Sequence, residues 1–210
     1  MKKLFENWNK FLTEGEVPEG VWPPEYLEQL EIDEGNNVSL FHVSSAPNIE
    51  ILDPQIAVKN LQRYTNADYR AWDRPRVFYF TRCAQRDVSI GQIGGKCTYS
   101  VKIPLNELYP IHLDDDPEFG LNLGGKEGVE EYKELPGKGD KKMSWGGIMV
   151  RPANWFDVVA TLAEMRYNVK GFIYPQSPLD KENLNLIAIL WTPEPVTKMD
   201  AEFYKKKEEL

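Results

Sequence analysis

Leu40-Phe41-His42-Val43-Ser44 is a short apolar run holding one imidazole, and Arg76-Val77-Phe78-Tyr79-Phe80-Thr81 is a second run holding one phenol. Both are rich in β-branched and aromatic residues, so each predicts a buried or half-buried strand. A third apolar run, Asn185-Leu186-Ile187-Ala188-Ile189-Leu190-Trp191, is ended by Pro193 and Pro195. A polar side chain inside such a strand has two readings. It is satisfied at the edge of a core, or it faces a site where its chemistry is used.

Further strands are expected around these three. Strand one spans 38–43. Cys97 to Ile103 alternates apolar and polar residues and stops at Pro104, the pattern of a half-buried strand. Short strands are expected at Leu108 to Leu113, Gly146 to Val150 and Gly171 to Tyr174. Helices are expected near Glu25 to Leu30, with Pro24 in the first turn, and near Ile56 to Arg63. A longer helix is expected from Trp155 to Tyr167, capped by Asn154, with Phe156, Val159, Ala160 and Ala163 on its apolar face. Many short strands with few helices predict an α+β domain, its sheet mixed and mostly antiparallel with flanking helices.

The chain has 210 residues, enough for one domain with a core. No apolar run approaches the roughly 20 residues a membrane helix needs. The net charge of -8 argues against duplex DNA as a partner, although Lys and Arg cluster between Lys59 and Arg86. Cys83 and Cys97 lack metal-ligand spacing and fit free thiols in a reducing compartment. The expected organisation is an amphipathic segment at 1–16, an acidic linker at 17–37, one domain at 38–195 with an irregular insertion at 114–145, and a charged helical tail at 196–210. Asp114-Asp115-Asp116 lacks the spacing of a calcium loop and reads as a solvated turn. Gly120 to Gly128 has no Gly-Lys-Ser/Thr ending and is not a Walker loop. No metal is expected. Ser44 and Ser45 beside His42 make no hydrolase triad, and there is no Gly-x-Ser-x-Gly elbow.

A His strand, a Tyr strand and a late third strand, in that order, resemble the His-Tyr-Glu branch of the ADP-ribosyltransferase family. Phe41-His42-Val43-Ser44 matches the first motif, and Phe78-Tyr79-Phe80-Thr81 the second. Tyr99 to Tyr109 is similar to the strand that follows in many members, and Gly171-Phe172-Ile173-Tyr174 to the strand before the last. The resemblance covers roughly residues 38 to 195 and implies a split sheet with NAD as substrate. It implies that His42, Val43 and Ser44 hold the ribose and adenosine side and that Tyr79 stacks on nicotinamide. The family's third residue is a glutamate, and here the chain departs. Asn185 or Ile187 falls at that place, and Glu182 lies just upstream. The expected catalytic set is therefore Tyr79 with Asn185 or Glu182.

Leu4, Trp8 and Phe11 share one helical face at the start of the chain. One reading is a helix that docks on the domain. The other is a resemblance: followed by Leu12-Thr13-Glu14-Gly15, the segment is similar to the capsid-targeting leaders of internal head proteins in T-even-type phages, which are cut after Glu. That resemblance implies a host cytoplasmic or virion setting, and as partners a host macromolecule or capsid components. The alternative to an enzyme is a non-catalytic virion or accessory protein that keeps the fold.

Overall fold

The computed structural model describes residues 22–61, 74–82, 97–111, 123, 126–138, 155–175 and 185–199. The segment 1–16, Trp72, Cys83, the strand at 146–150, Asn154, the side chain of Phe156, Glu182 and the tail 201–210 lie outside the described residues. Described elements run in the order α1 (Pro24–Leu27), β1 (Asn37–Ser44), β2 (Ile51–Leu52), α2 (Pro54–Leu61), β3 (Val77–Phe80), β4 (Cys97–Pro104), β5 (Leu108–Pro110), α3 (Lys126–Glu134), α4 (Trp155–Tyr167), β6 (Gly171–Pro175), β7 (Leu186–Leu190), β8 (Glu194–Pro195) and β9 (Thr197–Met199). A 3₁₀ turn at Leu105–Glu107 joins β4 to β5.

Seven strands form one sheet in the order β5-β6-β7-β3-β1-β4-β9, and β2 pairs with β8 in a separate ribbon. Only β5 and β6 pair in parallel among the described strands. The protein is thus α+β with a mostly antiparallel sheet. No described helix is long and apolar enough to cross a membrane.

Strand alternation sorts side chains onto two faces. On one, Val38, Leu40, Val77, Tyr79, Val101, Ile103, Leu186, Ala188 and Leu190 form a core with Tyr26, Leu30 and Leu52. On the other, Phe172 and Ile189 pack with Tyr132 of α3 and Val158, Val159, Leu162 and Ala163 of α4. Each fully buried Leu, Ile or Val contributes about 1.5–3 kcal/mol relative to exposure. At Gly171 the sheet admits no side chain, because a Cβ there would lie 2.3 Å from the Ile189 carbonyl oxygen.

Several boundaries differ from the sequence reading. Tyr26 and Leu30 are buried in the core, so the stretch read as an acidic linker belongs to the domain. Its aromatic and aliphatic residues outweigh its prolines and acids. The stretch read as an irregular insertion contains α3, whose Tyr132 is wholly buried; the glycines around it masked a helical period. The start of the stretch read as a helical tail is β9, which edges the sheet beside β4. Phe41, Val77 and Ile189 are buried, while Phe78 and Ile187 are half-buried.

Candidate functional site

β1 and β3 are neighbours at the middle of the sheet, paired with Phe41 opposite Phe80. One step along that register sets His42 beside Tyr79. Their rings lie 5.8 Å apart between centroids, tilted by 60°. On its other side His42 faces Tyr99 of β4. The Tyr99 hydroxyl donates to the Ala46 carbonyl at 2.6 Å and accepts from the Ile49 amide at 3.3 Å. It therefore ties down the loop that follows the His42 strand.

His42 is half-buried, and its Nδ1 lies 2.9 Å from the Phe78 carbonyl oxygen. A carbonyl only accepts, so the proton of the neutral ring is assigned to Nδ1. Nε2 then keeps its lone pair and acts as an acceptor. Burial lowers the imidazole pKa, and the Phe78 carbonyl opposes that shift without reversing it. His42 is accordingly neutral near pH 7 and suits a ligand hydroxyl or amide rather than an anion.

Tyr79 is only 1% exposed, and among the described residues its hydroxyl has no hydrogen-bond partner. Burial first, and the Glu194 carboxylate second, push the phenol well above its ordinary range. It stays protonated as a donor lacking an acceptor, which costs about 1–3 kcal/mol in a buried position. Glu194 itself is buried. Its Oε1 accepts from the Thr192 hydroxyl at 2.7 Å and lies 3.9 Å from Lys170 Nζ. Lys170 also pairs with Glu107 at 2.7 Å.

The other expected residues are placed differently. Ser44 shares the His42 phase, but its hydroxyl accepts from the Ala46 amide at 3.2 Å within the turn. Val43 alternates to the opposite face and is buried. Asn185 is exposed and in phase with Ile187 and Ile189, and Ile189 packs in the cluster on the face away from His42 and Tyr79. The fold thus brings His42 and Tyr79 together and sets Asn185 in phase with the other face. Sequence reasoning passed over Glu194 because Pro193 and Pro195 flank it and read as a strand terminator. Among the described residues no group of His, Cys, Asp and Glu could hold a metal ion.

A second polar cluster joins the helices. The buried Asp157 of α4 accepts from the Tyr132 hydroxyl and from Lys138 Nζ at 3.0 Å. Arg74 reaches Glu164 at 2.6 Å and lies over the Trp191 ring at 5.0 Å. These contacts bind α3, α4 and the entry to β3 into one unit.

Comparison with family models finds no match for this chain, and comparisons with curated proteins and with solved structures find none either.

Proposed function

We propose that the protein is ADP-ribosyltransferase-like, binds NAD at the His42–Tyr79 site and transfers ADP-ribose to a host macromolecule or to water. The observation that carries this reading is adjacency. The strands bearing His42 and Tyr79 are hydrogen-bonded neighbours, and the third strand of the resemblance, β7, lies directly beside the Tyr79 strand. The neutral His42 supports it, since Nε2 offers an acceptor to a ribose hydroxyl. In the reaction the ribose C1′–N bond breaks and its electron pair leaves with nicotinamide. The resulting oxocarbenium-like carbon is attacked by water or a target nucleophile, which gives its proton to solvent. Fixed negative charge near the ribose favours that state.

The burial of Tyr79 favours a second reading. A ring that is 1% exposed offers little stacking surface, as suits a non-catalytic accessory protein that keeps the fold to bind capsid components. The leader resemblance supports a phage setting, in the host cytoplasm or the virion, for either reading. The deciding experiment is incubation with labelled NAD, with and without host lysate. Nicotinamide release and label transfer are expected. Neither release nor binding at millimolar NAD would leave the accessory reading as the better account.

A further inference from the structure

Among the described residues, four large apolar side chains are exposed: Leu27, Ile32, Ile51 and Ile56. Single exposed apolar residues are ordinary on a protein surface, but these four are confined to two segments, 27–32 and 51–56. Both segments cover one face of the sheet, since Tyr26, Leu30, Leu52 and Ala57 pack in one cluster with Val38, Leu40 and Tyr79. Local structure turns the four outward. Leu52 is buried in β2, so alternation points Ile51 to the outer side, where its partner Pro195 is also exposed. The Asp53 carboxylate accepts from the Gln55 amide at 2.8 Å and starts α2, whose first turn carries Ile56 at 56% exposure. The Arg82 guanidinium donates to the Glu28 and Gln29 carbonyls at 3.1 Å and fixes the end of α1 beside Leu27. Acids surround these residues: Glu25, Glu28, Glu34 and Glu50 are all exposed.

We propose that this acidic, apolar surface receives residues 4–12 of the same chain. Those residues lie outside the described ones; complementarity and reach assign them here. Leu4, Phe5, Trp8, Phe11 and Leu12 make one apolar stripe at helical spacing. Lys2, Lys3 and Lys10 against the single acid Glu6 make residues 1–12 basic, opposite in sign to the acids of the surface. Trp22 packs against the same cluster as Leu30 and Leu52. Ten residue steps back from Trp22 to Leu12, about 33–36 Å when extended, therefore tether the segment beside the surface. A helix this short is marginal alone in water, so it forms as its apolar stripe is covered. The tether supplies an effective concentration in the millimolar range, which favours the same chain over a second copy at micromolar protein.

The test is hydrogen exchange on the full chain, read by mass spectrometry, with a photo-crosslinker to locate the contact. Amides of residues 4–12 should exchange about tenfold or more slowly than in the isolated 1–16 peptide, at every protein concentration. Ile51→Lys with Ile56→Lys puts charge of the segment's own sign on the surface. It should bring those rates to within about twofold of the peptide's while β1 and β4 stay protected. Trp8→Lys should do the same from the segment's side, and it stands in should the surface variant not fold. Benzoylphenylalanine at position 8 should crosslink to peptides containing 27–32 or 51–56 of the same molecule. Peptide-like exchange in the parent would overturn the proposal. So would protection kept by a folded surface variant or by Trp8→Lys, or crosslinks to another part of the fold. Protection that rises with protein concentration, together with crosslinked dimers, would also overturn it and give the surface to a second copy.

Discussion

The Tyr26 hydroxyl donates to the Ile111 carbonyl at 2.5 Å, joining positions 85 residues apart. Tyr26 and Ile111 are both buried, so the bond closes α1 onto the chain just after β5. Tyr26→Phe keeps the ring and removes the donor. It should destabilise the protein by about 1–3 kcal/mol, the cost of leaving a buried polar group unpaired. Urea unfolding measures this, and a change within error would mean that water satisfies the carbonyl.

Gly171→Ala should cost more than its one added methyl suggests. The new Cβ meets the Ile189 carbonyl oxygen, which is backbone and cannot swing away, as well as the Leu190 side chain. Forced separation of β6 from β7 should cost about 1–3 kcal/mol, as overpacking does. Thermal unfolding of this variant beside the parent provides the measurement, and an unchanged melting temperature would contradict the close approach.

His42 should make stability fall on mild acidification. Its folded pKa lies below the unfolded value, so the unfolded chain binds the proton first. The contribution is complete above the unfolded pKa of about 6.5 and is lost as pH falls below it. Denaturant titrations from pH 8 to 5 should show this slope in the parent and a weaker one in His42→Gln. Nitrogen NMR of the ring should also report the Nδ1–H tautomer at pH 8.

Asp157 should govern a separate, more acidic limb. Burial raises its pKa, but the hydrogen bonds from Tyr132 and Lys138 and the charges of Lys138 and Arg74 outweigh that and hold it low. Its stabilisation is present above the unfolded pKa of about 3.9 and fades as pH falls through the lower folded value. Asp157→Asn should flatten the stability profile below about pH 4. At pH 7 it should destabilise by about 1–3 kcal/mol by weakening charged hydrogen bonds. A profile identical to the parent's would show that this cluster does not link pH to folding.

The strands were legible because their apolar runs are dense. β1, β3, β4 and β7 fall within a residue or two of their expected bounds. α4 was legible from its helical period. α1 was expected as a helix but not as part of the core, because prolines and acidic residues surround Tyr26. α3 went unread because three glycines precede Val129 and hide the apolar spacing of Val129 and Tyr132. At the site, two short motifs pointed to His42 and Tyr79. Nothing in a linear pattern marks Glu194, whose position depends on the β2–β8 pairing of segments some 140 residues apart.

The place of β7 bears on synthesis. It lies between β3 and β6 and pairs with both, yet it is the last of these three to leave the ribosome. Until Leu186–Leu190 emerges, β5 and β6 cannot join β3, β1 and β4 through it, and the exposed edges of β3 and β6 are sites for wrong pairing. A nascent chain halted before Asn185 should therefore be protease-sensitive and in need of a chaperone, with protection arriving abruptly once β7 is free.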